Sequence, residues 1–224
     1  FMQSMPFFGI IAISVTFVIT LGEIDLSFPS IVGITSLTFG LILTATDGNF
    51  FIAFALASIL GMFAGLVNGL LVTKIGIPSI VATIGTLYFW RGLVNVISQG
   101  KGLAIVDVAD GTWHHALFVE KLFDKIPAQF IWFIVLTGLM QWVYRYHKFG
   151  NHIHFVGDNK ASSQMMGINV DNVKIIAFVQ LGFFSSLAGI FTMYEMLYFW
   201  PTQGSGLMLT TLAAVFVGGT SVFG

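Results

Sequence analysis

The stretch Leu21-Gly22-Glu23-Ile24-Asp25-Leu26-Ser27-Phe28-Pro29-Ser30 sets two carboxylates two residues apart between two long apolar runs. Pro29 ends any helix that reaches it and suits the first turn of the next one, where its missing N–H is not needed. Ser27 or Asp25 is placed to cap that second helix. Two readings follow. One is a capped turn at a membrane surface. The other is a broken helix whose polar backbone lines a cavity, since irregular backbone at membrane depth is tolerated only there.

Both readings presuppose a lipid environment, and the composition supplies it. Of 224 residues, 56% are hydrophobic and only 8% charged, against about 25% charged in an ordinary soluble domain. So few charges cannot cover the surface of a soluble globule. This excludes a nucleic-acid-binding domain, which needs a basic face, and a free cytosolic enzyme. The absence of cysteine removes disulfides, thiolate zinc sites and iron–sulfur clusters. Working outward from the break, apolar runs of spanning length fall at residues 2–22, 28–46, 50–73, 78–97, 128–146, 173–195 and 207–224. A spanning helix needs about 20 such residues, so these make about seven spans. They lack the alternation of a membrane β-barrel. The expected fold is an all-α, polytopic helical membrane protein with one or more broken helices.

The charges are not spread evenly. Residues 98–127 hold Lys101, Asp107, Asp110, Glu120, Lys121, Asp124 and Lys125, and residues 144–174 hold Arg145, Lys148, Asp158, Lys160, Asp171 and Lys174. Lys and Arg in short loops mark the cytoplasmic side, which places 144–174 inside. Alternation then puts Lys74 inside, and Phe1, Asp47 and the 98–127 segment outside the cytoplasm. A chain that begins outside and stops at Gly224 as a helix completes its crossing is expected to be one transmembrane domain over residues 1–224, truncated at both ends.

Ionisable and polar groups at membrane depth are functional candidates by default. Tyr88, Arg91 and Asn95 share one face of the 78–97 span, and Asn68 lies beside a stripe of Ala57, Gly61, Gly65 and Gly69 that suits close helix packing. Gly182, Ser185, Ser186 and Gly189 form a similar small-residue face. Glu23, Asp25, Ser27, Asn68, Tyr88, Arg91 and Asn95 are therefore the candidates for a translocation pathway. No catalytic constellation is present: neither a Walker-type phosphate loop, nor His-Glu-x-x-His, nor Gly-x-Ser-x-Gly occurs. His152 and His154 lack the companions of a metal site, so no catalytic or metal residue is expected.

In the 147–173 loop, Asn159 is placed to cap a helix of about seven residues that Gly167 terminates. Met165 and Met166 would be presented by it, and adaptable Met is common at protein contact surfaces. A short surface helix between two spans has the shape of a docking element for a separate cytoplasmic protein.

Ordered blocks along the whole chain resemble the permease subunits of ribose/xylose-type ABC sugar importers. Gly22 to Ser27 is similar to the family's Gly-Gly-Ile-Asp-Leu-Ser. Further blocks are Gly65 to Val72, Gly76-Ile77-Pro78, Thr83 to Thr86 with Arg91-Gly92, and Phe149-Gly150. Gly157-Asp158-Asn159, Gly167-Ile168-Asn169-Val170, Gly204-Ser205-Gly206 and Val217 to Gly224 complete the set. There are departures: Glu23 and Pro29 stand where Gly is common, making the break stiffer and more acidic, and Ala161-Ser162-Ser163 replaces a usual Glu-Ala-Ala.

The resemblance implies a non-enzymatic transport subunit in the bacterial inner membrane that moves a monosaccharide such as ribose, xylose or galactose. It implies a cytoplasmic ABC ATPase that binds ATP and Mg, a periplasmic solute-binding protein and a second permease copy, with no cofactor in this chain and no nucleic acid. Gly157, Asp158, Asn159, Ala161, Ser162, Met165, Met166, Gly167, Ile168 and Asn169 would form the ATPase coupling loop. The alternatives are a nucleoside, a furanosyl signalling molecule or another small polar solute, and a secondary transporter with Glu23 and Asp25 as its ion site.

Overall fold

The computed structural model describes residue 2, residues 4–122 and residues 125–220. The expectations for Phe1, for Asp124 and for positions 221–224 of the last sequence block lie outside these residues.

The chain is helical, as expected. Helix α1 (Met5–Thr20) ends at Gly22, whose φ of +72° is the left-handed conformation that suits glycine after a helix. Helix α2 (Phe28–Ala45) opens with Pro29 in its first turn. Helix α3 (Phe50–Leu70) is capped by Asn49 and runs on into a π-helical turn, Leu71–Ile75. Helix α4 (Ser79–Ser98) follows. The charge-rich segment after it folds into a short strand β1 (Leu103–Ala104), helices α5 (Val106–Ala109) and α6 (Trp113–Val119), and strands β2 (Lys121–Leu122) and β3 (Ile126–Pro127). Helix α7 (Ala128–Tyr146) leads to α8 (Lys148–Asp158), α9 (Lys160–Met165) and the long α10 (Val170–Met196). Strand β4 (Tyr198–Phe199) pairs antiparallel with β1, and α11 (Leu207–Val217) closes the described chain.

The count of spans departs from expectation. Four helices among the described residues are long and apolar enough to cross a membrane: α2, α3 with its π turn, α4 and α10. Helices α1 and α11 are apolar but shorter. Helix α7 has 19 residues but carries Gln129, Gln141 and Arg145, which dilute its apolarity. About seven spans is thus more than these residues display.

Helix α10 is the hub of the bundle, packed on α1, α2 and α3. Lipid tails are as apolar as Leu, so helices in a bilayer are held by close van der Waals fit rather than by hydrophobic exclusion. The α3–α10 interface shows this fit. A Cβ on Gly61 would lie 2.5 Å from the Gly182 carbonyl oxygen, one on Gly65 would strike the Phe178 carbonyl, and one on Gly69 would lie 2.9 Å from Ile175 Cα. Residue numbers rise on one helix as they fall on the other, so the pair is antiparallel. Gly182 and Ser186 of the second stripe face Gly61 and Gly65 of the first, whereas Gly189 packs on α2. Helix α2 runs parallel to α10, with Ser36 Oγ donating to the Gly189 carbonyl at 2.8 Å.

The two charge-rich segments lie at opposite ends of this bundle. At one end Lys74 meets Asp171 at 2.7 Å, beside α8 and α9. At the other, β1 pairs with β4, and His114 Nδ1 lies 2.9 Å from the Tyr194 hydroxyl.

The 147–173 loop contains more helix than expected. Gly157 and Asp158 belong to α8 rather than to a turn. His147 Nδ1 accepts from the Phe149 amide at the start of α8. Ile153 and Val156, three apart on one face, are fully buried and hold α8 against the bundle. Helix α9 matches its expectation closely: Asn159 Oδ1 accepts from the Ser162 amide at 2.9 Å, and Gly167 ends the helix at φ +79°.

Candidate functional site

Within the break between α1 and α2, Asp25 is 1% exposed and Ser27 fully buried, Ile24 and Leu26 are half-buried and Gly22 is exposed, so the Asp25 carboxylate points inward from one end of the bundle. The irregular backbone of the break is satisfied from α4. The Ile24 amide donates to Ser79 Oγ at 3.2 Å and the Leu26 amide to Thr83 Oγ1 at 3.1 Å. Buried amides left unpaired would be costly, and these hydroxyls make the break tolerable at depth. Ser27 occupies the cap position of α2 but makes no capping bond with its side chain. Asp25 instead holds Ser27 itself: its Oδ1 accepts from the Ser27 amide at 2.6 Å and from Ser27 Oγ at 2.7 Å.

Three of the predicted residues thereby come together. Asn68 Nδ2, on α3, donates to Asp25 Oδ2 at 3.0 Å and to Ser27 Oγ at 2.7 Å. Thr86 Oγ1, on α4, donates to Asn68 Oδ1 at 2.7 Å. Asp25, Ser27, Asn68 and Thr86 form a closed polar network tying α2, α3 and α4 to the break. A buried network of this kind holds one arrangement when each member is satisfied.

Tyr88, Arg91 and Asn95 line a cavity of about 380 Å³ with Pro29, Ser30, Pro201, Thr202, Ser205 and Met208. Arg91 is not stretched towards an interface. Its Nη1 donates to the carbonyls of Pro201 and Gln203, both at 2.9 Å, and its Nη2 to that of Pro29 at 3.4 Å. It therefore clasps the first turn of α2 to the loop between β4 and α11. This loop folds back into the bundle. Gly40 on α2 packs against Met193 near the end of α10, whereas Gly204 packs against Pro29 and Val32. Pro29 and Gly40 are eleven residues apart on one helix, about 16 Å. In the Gly204-Ser205-Gly206 segment Gly204 packs on α2, while Ser205 and Gly206 are exposed. Gly204 has φ +87°, and a Cβ there would strike the Pro29 carbonyl.

Arg91 uses three of the five N–H groups of a guanidinium. Beside it Ser30 Oγ is buried without a hydrogen-bond partner among the described residues, as is Oε1 of Gln203, whose Nε2 donates to Ser36 at 2.7 Å. The cavity thus offers spare donors and hydroxyls without a carboxylate in its lining.

Glu23 stands apart from both clusters. Its carboxylate pairs with Lys174 of α10, and Lys160 of α9 lies 3.8 Å away. Two ammonium groups on one carboxylate do not leave a vacant cation site there. In α9 and the residue that follows it, Met165 is 90% exposed and Met166 is exposed, while Ser163 is buried. Among the described residues, no three His, Asp or Glu side chains converge as metal ligands.

Sequence reasoning missed Ser79, Thr83 and Thr86. Their spacing in an apolar helix was a readable signal, since four and seven residues share a helical face. It also missed Ser30 and the Pro201 and Gln203 carbonyls, for which sequence carries none.

The family described as branched-chain amino acid transport system / permease component matches residues 1–224. The Autoinducer 2 import system permease protein LsrC of Yersinia pseudotuberculosis serotype O:3 (strain YPIII) is 35% identical over 217 residues, covering 96% of this chain and 60% of the relative. That of Photorhabdus luminescens is 33% identical over 227 residues, covering 96% and 63%. That of Yersinia pestis (strain Pestoides F) is 34% identical over 216 residues, covering 96% and 60%. The chain thus spans about three fifths of the length of these relatives. No solved structure matches it.

Proposed function

The chain belongs to the branched-chain amino acid transport system / permease component family, and from that premise we propose that it forms the membrane-spanning core of an ATP-driven importer for a small hydroxylated solute. The observation that carries this reading is the Arg91 cavity, an open pocket between the first turn of α2, α4 and the loop that leads to α11, lined on its outer side by the exposed Tyr88 and Asn95. Its hydroxyls and spare guanidinium N–H groups suit an oxygen-rich solute. The relatives' names favour autoinducer 2, or a compound of that furanosyl kind, over ribose, xylose or galactose.

In this reading the end bearing α8 and α9 faces the cytoplasm of a bacterial inner membrane, and the end bearing α5 and α6 faces the periplasm. Residues 157–169 dock on a cytoplasmic ABC ATPase that holds ATP and Mg. Met165 and Met166 supply adaptable apolar contact. A periplasmic solute-binding protein delivers the solute, and a second permease copy completes the translocation unit. The pathway runs past Tyr88, Arg91 and Asn95. The Asp25, Ser27, Asn68 and Thr86 network holds the break beside it rather than touching the solute. ATP binding changes the solute route because the ATPase favours one of two permease arrangements.

The test is uptake by proteoliposomes holding the full-length permease with its ATPase and solute-binding protein. Autoinducer 2 should enter only with ATP, while ribose, xylose and galactose should not. Uptake that survives removal of the ATPase and follows an ion gradient would overturn the proposal.

A further inference from the structure

Glu23 connects two parts of the molecule that the family reading keeps separate. It sits on the break two residues before Asp25, a distance of at most about 7 Å along the chain. Its partners come from the other side of the polypeptide. Lys174, itself buried, lies in the first turns of α10, and Lys160 is the first residue of α9. The nearby Lys74–Asp171 pair is exposed and joins α10 to the π-helical turn, not to the break. Among the described residues, Glu23 thus makes the one charged contact between α9 and the break. A carboxylate buried this deeply is stable only while its ammonium partners stay in place. A shift of α9 that carries Lys160 away therefore acts on Glu23, and through the non-helical backbone at Ile24 on Asp25. Asp25 is in turn bonded to Asn68 on α3, which is bonded to Thr86 on α4.

We infer that Glu23 is a positioning residue that transmits displacement of α9 to the chain break between α1 and α2, not a solute ligand. The inference rests on the permease reading, in which α9 is the element the ATPase moves.

These 224 residues contain no cysteine; with any cysteine elsewhere in the full-length permease and its partners replaced by serine, a single nitroxide at M165C reports α9 alone. The full-length transporter would be reconstituted with its ATPase and binding protein as wild type, E23Q, E23D and K160Q. E23Q and K160Q should each loosen the label and lower solute imported per ATP hydrolysed by about 2- to 30-fold, the span expected when a coupling contact is lost. E23D keeps the charge and should stay nearer wild type in both readings. K160Q changes an exposed side chain, so it serves even where E23Q folds poorly. An unchanged label, or unchanged import per ATP with a loosened label, overturns the relay. Wild-type protein without ATP-driven uptake refutes the permease reading instead, and that control separates the two failures.

Discussion

Thr86 and Asn68, on adjacent helices, meet through one hydrogen bond of 2.7 Å in which the threonine hydroxyl donates to Asn68 Oδ1. That bond fixes which way the amide faces. With Oδ1 occupied by Thr86, the NH₂ group is turned towards the Asp25 carboxylate and Ser27. The two helices thus orient a side chain that holds the break, although neither belongs to it.

Removing Asn68 should therefore cost more than removing Thr86. N68L strips a donor from a buried carboxylate and is expected to destabilise by about 2–3 kcal/mol, whereas T86V loses a neutral hydrogen bond and about 1 kcal/mol. Thermal unfolding in detergent, followed by size-exclusion, gives the order. Equal losses would show that the two do not act in this sequence.

Glycines of similar appearance should behave oppositely. At Gly65 a side chain strikes the Phe178 carbonyl, backbone that cannot rotate aside, so G65V is expected to lose about 3 kcal/mol or more. Gly85 faces open space in a regular stretch of α4, so G85A should gain about 0.5–1 kcal/mol by reducing unfolded-chain freedom. The same melting assay decides both.

Arg91 is expected to resist conservative replacement. Lysine keeps the charge but cannot fork to the Pro29, Pro201 and Gln203 carbonyls together. R91K and R91Q should each lower solute uptake by about tenfold or more, the equivalent of one or two charged hydrogen bonds. Near-normal uptake by R91K would mean that charge, not the clasp, is what matters.

Gly167 tests the end of α9. Its φ is +79° and nothing lies where a side chain would go, so the penalty is conformational rather than steric. G167L should insert normally and lose about 1–2 kcal/mol locally, with import per ATP reduced. G167N, which tolerates the left-handed conformation, should retain more coupling. Normal uptake and normal ATPase stimulation in G167L would remove Gly167 from the coupling segment.

His114 provides a pH handle outside the spans. Burial holds its pKa below the ordinary 6.5, assisted by the neighbouring His115, against a backbone hydrogen bond at Gly48 that raises it. The unfolded chain then binds a proton more readily than the folded one. Stability is complete above pH 6.5 and falls as pH drops below it, levelling off beneath the lowered folded value. Melting temperature between pH 7.5 and 5 should show this slope, and H114Q should flatten it.

Much of this architecture was legible in the chain. Lipid immersion, the helical class and the limits of most apolar segments follow from long continuous runs of apolar residues. The small-residue stripes announced a close interface because only Gly, Ala and Ser allow backbones to touch. The Asn159 cap and the Gly167 stop of α9 are local, set by hydrogen bonds within a few residues. Even the break was visible, because Pro29 and two carboxylates interrupt an apolar stretch.

Partnership was not legible, because it joins residues far apart in number. Glu23 and Asp25 look alike in sequence, yet one meets lysines 137 and 151 positions away and the other an asparagine 43 positions away. Arg91 chooses backbone carbonyls, groups every residue possesses, and so no residue type advertises them. The sequence alone determined where most helices begin and end, since period and capping act over a turn or two. Only the tertiary structure decided what each polar group is for, because a charge at membrane depth takes its role from whichever distant group comes within about 3 Å of it.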